Sequence, residues 1–128
     1  MSPAATCPLC QPDPARVLRQ TGMAQALFDS YPVSEGHALV VPRRHVASLY
    51  ELNAAEVSAV WRLVSQVREL LKDLFHPDGF NIGVNDGEAA GQTVMHAHVH
   101  VVPRYKGDVG DPRGGVRWVI PAKAAYWK

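Results

Sequence analysis

The segment from Ala54 to Phe75 constrains the fold more than any other part of the chain. Val57, Val60, Trp61, Val64, Val67, Leu71 and Leu74 recur there at three- and four-residue steps, a spacing that gathers apolar side chains onto one stripe of an α-helix. Asn53 offers an N-cap oxygen, and Glu56 three residues on completes a capping box. Lys72 suits the C-terminal end of the helix dipole, and Pro77 prevents continuation. At 1.5 Å per residue such a helix runs about 33 Å. Its stripe is a core face and must lie on something. The remaining apolar segments read as strands, so a sheet is the available partner.

Ala24 to Asp29 and Ala38 to Val41 are expected to be strands, joined through the turn residues Ser30, Tyr31, Pro32 and Gly36, with Pro42 stopping the second. Phe80, Ile82 and Val84 alternate with Asn81, Gly83 and Asn85, the pattern of a half-buried strand, and His96 to Val102 alternates again. Trp118 to Ile120 is expected to form a short last strand. Short connections between these segments favour an antiparallel sheet in an α+β domain over a parallel βαβ array. Ser2 to Arg16 holds four prolines and is expected to be irregular.

At 128 residues and 14.0 kDa the chain suits a single domain, residues 1–128. Residues 1–16 form an N-terminal segment, and residues 104–128 a basic C-terminal tail. Thirteen Lys and Arg against twelve Asp and Glu leave a formal charge of +1, too small an excess for a protein built on non-specific nucleic-acid binding. From Val101 onward six cations face two anions, a local +4, read mainly as a solvated basic surface. No run of about 18 apolar residues exists, which argues against a membrane-spanning helix. The start, MSPAATCPLCQPDPAR, lacks a charged region followed by an apolar run, so a cytoplasmic protein is expected.

Six histidines are present, and three fall at His96, His98 and His100. Side chains alternate along a strand, so these three share one face while Ala97, Val99 and Val101 face the core. Cα atoms four residues apart on a strand are separated by about 13 Å, which disfavours one zinc ion held by all three. Nucleophilic attack at phosphorus fits better. A neutral imidazole is available near pH 7, and attack gives a labile phosphoimidazole that water cleaves. The nucleophile needs its other ring nitrogen held by an acceptor, and the phosphate oxygens need donors. A central histidine flanked by two others meets those demands. The preceding loop adds Gly87 and Gly91 for close backbone approach, with Gln92 and Thr93 as side-chain donors.

The run His96-x-His98-x-His100, with Gly91-Gln92-Thr93-Val94 before it, resembles the histidine-triad (HIT) superfamily of nucleotide hydrolases and transferases. Asp29, the segment Gly36 to Pro42, Arg44-His45, the long helix and Asn85-Asp86-Gly87 follow in the family's order. The resemblance implies an antiparallel five-stranded sheet with one long helix and a shorter helix packed on it, and a homodimer whose sheet continues across the interface. It implies His98 as the nucleophile that carries the nucleotide, His100 near the phosphate oxygens and His96 as an orienting group. Gln92, Thr93 and Gly91 would contact the phosphates and the leaving-group side. Asp29 would hold ribose hydroxyls, with Asn85 a nearby polar contact. His37 matches a recurrent position without an assigned role. Sugar-nucleotide uridylyltransferases of the superfamily carry Gln at the third triad position, so His100 points toward hydrolysis.

Gly91-Gln92-Thr93-Val94 and Pro103-Arg104-x-x-Gly107-Asp108 resemble the fragile-histidine-triad dinucleoside polyphosphate hydrolases most. The expected activity is therefore cleavage at the α-phosphorus of a dinucleoside polyphosphate, releasing a mononucleotide. The alternatives are a Hint-type nucleoside phosphoramidase, a purine nucleotide-binding protein with little turnover, and a zinc carrier or sensor. No organic cofactor is expected.

Cys7-Pro8-Leu9-Cys10 is a C-x2-C spacing. A thioredoxin-like redox pair would sit after a strand at a helix start, unlike this Pro-rich terminus. Two unconnected thiols remain an alternative. Some HIT-like proteins hold structural zinc with such cysteines, the histidine of a Pro-x-x-His segment and the first triad histidine. The resemblance thus implies Cys7, Cys10, His45 and His96 as metal ligands. His76, beside Pro77, reads as an exposed or capping residue.

Overall fold

The computed structural model describes residues 6–128. The first four residues of the segment expected to be irregular, 2–5, lie outside that range. Strands β1 (Val17–Gln20), β2 (Ala24–Phe28), β3 (Ala38–Pro42), β4 (Gly79–Val84) and β5 (Val99–Arg104) form one antiparallel sheet in the order β1-β2-β3-β5-β4. Helix α1 (Ala54–Phe75) and a four-residue helix α2 (Pro121–Ala124) complete the expected α+β architecture.

Local chemistry sets both ends of α1. The Glu56 N–H donates to Asn53 Oδ1 at 2.9 Å, and the Asn53 N–H donates to Glu56 Oε1 at 3.0 Å. At the far end His76 takes the left-handed conformation (φ 53°), and its N–H reaches the Lys72 carbonyl. Val60, Leu63, Val64, Val67 and Leu71 are buried against Ala24, Ala26, Ala38, Val40, Val99 and Val101. Each such aliphatic side chain contributes about 1.5–3 kcal/mol. Trp61 and Leu74, expected in the stripe, are 43% and 53% exposed, while Leu63 takes a core position. Trp61 is turned by one residue, about 100°, from the buried Val60.

The opposite sheet face carries a second cluster. Leu27, Leu39 and Val41 pack there under Cys7 and Leu9. Gln25 Nε2 donates to the Leu9 carbonyl at 3.2 Å and helps hold the N-terminal segment down.

Four expectations need correction. The fifth strand is β1, whose four residues are half or fully exposed and whose pairing shifts register after Val17. Trp118 to Ile120 form no strand; Gly115–Val119 is a 3-10 helix that no sheet edge pairs. Strand β3 extends to include Pro42, whose partner is Ala24. Strand β5 begins at Val99 rather than His96. The reason is that the Ala97 N–H leaves the ladder and donates to the Val46 carbonyl at 2.7 Å.

Candidate active site

The stretch just before β5 is pulled from the sheet, so the three triad histidines do different things. His96 is fully buried, whereas His98 and His100 are half-buried. The expected alternation holds for Ala97, Val99 and Val101, which are all buried, but His96 does not line an open cleft.

Hydrogen bonds fix which nitrogen of each ring is free. His96 Nε2 lies 2.8 Å from the Pro42 carbonyl and donates to it, leaving the Nδ1 lone pair directed elsewhere. His98 Nδ1 lies 2.7 Å from the His96 carbonyl. A carbonyl only accepts, so Nδ1 carries the proton and Nε2 keeps its lone pair. Nothing among the described residues bonds that Nε2.

His100 is set by a longer relay. The Val33 N–H donates to His37 Nδ1 at 3.1 Å, so the proton of a neutral His37 sits on Nε2. That nitrogen is 3.0 Å from His100 Nδ1 and 3.4 Å from Asp29 Oδ2. His100 Nδ1 accepts, which leaves a proton on His100 Nε2. Burial lowers the pKa of both His37 and His100; the Asp29 charge works the other way on each, while neighbouring His98 lowers His100 further. Both rings are thereby kept neutral at physiological pH. Asp29, His37 and His100 sit close enough to be considered as a metal cluster. However, the Val33 N–H places the His37 proton on the nitrogen a metal would need. The relay reading is therefore preferred.

The buried Nδ1 of His96 faces a second group. It lies 3.5 Å from Cys7 Sγ, 3.4 Å from Cys10 Sγ and 3.2 Å from His45 Nδ1, and His45 Nδ1 is 3.1 Å from Cys10 Sγ. Zinc bonds of about 2.05 Å to nitrogen and 2.3 Å to sulfur put tetrahedral ligands about 3.3–3.8 Å apart. The four side chains are thus spaced as a tetrahedral metal site requires, and the donor set is the nitrogen–sulfur set that suits zinc. Burial first, then Cys7, pushes the Cys10 thiol up to about 11. A thiol raised that far gives up its proton at neutral pH only to a cation. Pro42 holds the far side of the His96 ring, the outer support that metal-ligating histidines normally have.

The remaining expected residues lie on the segments that follow β2 and β4 and precede β5. Gln92 is buried, and both its amide protons are taken by carbonyls, Ala47 at 2.8 Å and Val94 at 3.0 Å, while its oxygen accepts from the Gly87 N–H. Its side chain therefore pins the 87–94 loop. Gly91 takes φ +95° after a 3-10 turn, a conformation glycine adopts freely, and Gly91 and Thr93 are exposed. Asn85 follows β4, and continuing the Val84–Val99 pairing sets it beside His98. Asp29 accepts the Tyr31 N–H at 2.8 Å with one oxygen and turns the other toward His37.

The tail arginines are engaged structurally. Arg104 pairs with Asp108 and Asn81, and Arg113 pairs with Asp111 and lies over the Trp127 ring. Arg117 donates to the Lys123 and Ala124 carbonyls and lies over Tyr126. Sequence reasoning left His37 without a role. The sequence signal for it is a polar residue directly before an all-apolar strand, two residues from Leu39, which pairs with His100.

Residues 11–107 match the family model described as the HIT domain. The chain belongs to the HIT family. It is 36% identical over 97 residues to a bis(5'-nucleosyl)-tetraphosphatase (asymmetrical) of Schizosaccharomyces pombe, covering 76% of this chain and 53% of that protein. It is 36% identical over 88 residues to a bis(5'-adenosyl)-triphosphatase of Dictyostelium discoideum, covering 69% and 59%. The chain thus spans little more than half the length of these curated relatives. Among solved structures, a zinc-bound histidine triad family protein from Mycobacterium smegmatis superimposes with a TM-score of 0.74 at 30% identity, covering 93% of this chain and 94% of that one.

Proposed function

We propose that this HIT protein is a nucleotide hydrolase that cleaves dinucleoside polyphosphates at the α-phosphorus through a nucleotide carried on His98. The reading rests on one observation: His98 Nδ1 donates to the His96 carbonyl at 2.7 Å, leaving an unpartnered lone pair on Nε2. That lone pair forms the N–P bond as the P–O bond to the departing nucleotide breaks, and the departing oxygen takes a proton from solvent. Positive charge then developing on the ring is stabilised by the His96 carbonyl. The Nε2 proton of His100 is available to a non-bridging phosphate oxygen. Water next attacks phosphorus and gives up a proton to solvent, the N–P bond breaks, and the electron pair returns to His98. The names of the fission-yeast and Dictyostelium relatives support the substrate class. Asp29 and Asn85 would contact the nucleoside, while Gly91 and Thr93 would meet the phosphates. Gln92 would act by holding their loop.

Structural zinc on Cys7, Cys10, His45 and His96 belongs to this reading. When bound it would tie the N-terminal segment to the residue whose carbonyl orients His98. A homodimer is the proposed assembly, supported by β4, which forms one open edge of the sheet and is half-exposed throughout.

The test is mass spectrometry after brief incubation with diadenosine tetraphosphate. An adenylyl adduct on His98 is expected, and none in His98→Ala. Hydrolysis by His98→Ala at the parent rate would overturn the reading.

A further inference from the structure

We infer that a cavity of about 740 Å³ beside the histidine row holds the second nucleobase of the substrate, the base on the departing side. The inference rests on the hydrolase reading above for the identity of its ligand. The volume falls among those of small-molecule sites. Val102 and Asn81 form its floor; Val102 lies two residues beyond His100 on the same face of β5, and Asn81 is its partner on β4. The loop that carries His37 forms one wall through Val33, Ser34 and Glu35, and the tail closes the other with Trp118.

Three features suit a base. Trp118 lines the cavity, and the orientation of its indole is fixed because Nε1 donates to the Arg113 carbonyl at 2.8 Å. Stacking on such a ring is a principal source of base affinity. The two walls are tied together by Tyr105, which lines the cavity and donates its hydroxyl to the Glu35 carbonyl at 2.7 Å. Charge then selects the ligand. Asp108 is neutralised by Arg104 and Asp111 by Arg113, but no cation among the described residues pairs with the Glu35 carboxylate. The Ser34 hydroxyl is buried and equally unpartnered. Glu35 and Trp118 line the same cavity, and a carboxylate there accepts from the amino N–H of a purine and repels phosphate. The polyphosphate must therefore cross the gap rather than fill the cavity. From His98 to Val102 is four residues, about 13 Å, a distance for a bridging polyphosphate and not for a single phosphate.

The experiment compares diadenosine tetraphosphate with adenosine 5'-tetraphosphate, which has the same phosphate chain and no second base. Calorimetry on His98→Ala protein, which cannot turn over, should show the dinucleotide binding about tenfold more tightly. In the His98→Ala background, Glu35→Gln and Trp118→Ala should each bring that ratio close to one. Glu35→Gln keeps the backbone carbonyl that Tyr105 uses, so it guards against loss of folding in the tryptophan variant. Equal affinity for the two ligands, or a preference that survives both substitutions, overturns the inference. Tighter dinucleotide binding that both substitutions abolish, without any adenylyl adduct on His98 in the parent, keeps the cavity and overturns the hydrolase reading instead.

Discussion

At the residue scale the chemistry of this site is a matter of where three protons sit. His98 and His100 are neighbours, with ring centroids 5.1 Å apart, yet they present opposite faces to a ligand. One offers a lone pair at Nε2, the other a proton at Nε2. The difference comes from their Nδ1 partners, a carbonyl for His98 and the protonated nitrogen of His37 for His100. Replacing His37 by Ala removes the donor that keeps His100 Nδ1 unprotonated. The His100 ring should then populate both neutral forms, visible in its ring ¹⁵N shifts, while His98 keeps its proton on Nδ1. Turnover should fall by about a hundredfold, the lower range for a positioned proton donor, with KM changed far less than kcat. An unchanged His100 tautomer would show that the relay does not operate. The triad was legible because alternation is visible in a sequence. The relay was not, since it depends on a backbone N–H four residues from His37 folding back onto the ring.

At the element scale α1 is the best-read part of the chain, because caps and stripe are local signals. Its boundaries match expectation, and the only surprises are which flanking residues reach the core. The tail misread has a different cause. Trp118, Val119 and Ile120 have strand-forming side chains, but a strand needs an edge to pair with. Here Arg117 instead ties its own turn to the Lys123 and Ala124 carbonyls. Strand β1 was missed for the converse reason: Val17–Gln20 is short and largely exposed, and only its neighbour β2 makes it a strand. The start of α1 carries a testable charge. Arg44 contacts Glu56 through two nitrogens, at 2.9 and 2.8 Å, and this bond with the Asn53 N–H holds the Glu56 carboxyl down to about 2. A depressed carboxyl stabilises the fold above its ordinary value of 4.5, and that contribution disappears as pH falls through 2. Glu56→Gln should therefore lower the urea midpoint at pH 7, and the gap from the parent should close between pH 4.5 and 2. A gap that stays constant over that range would exclude the ion pair as its source. Asn53→Ala, by contrast, should cost about 1 kcal/mol at pH 7 through loss of the cap itself.

For the whole molecule, the four-residue Cys and His cluster is where distant parts of the chain meet. Cys10 lies 35 positions from His45 and 86 from His96, so one ion there would join the N-terminal segment, the turn after β3 and the lead into β5. Without it, the segment is held chiefly by Leu9 in the small cluster and by Gln25 on its carbonyl. An ion present at a hundred times its Kd stabilises the folded state by about 2.7 kcal/mol, roughly 10 °C in the melting temperature of a domain this size. Removing metal with a chelator should therefore lower the melting temperature by roughly that amount, and readdition of zinc should restore it. Cys10→Ser should melt low from the start and respond little to chelator. The consequence should extend beyond stability, because the His96 backbone carries the carbonyl that holds the His98 proton. Metal-free protein that remains folded should form the adenylyl adduct more slowly than the metal-loaded form. Full metal content and unchanged melting in Cys10→Ser would mean that any bound ion lies outside this cluster, and would leave His96 held by Pro42 rather than by zinc.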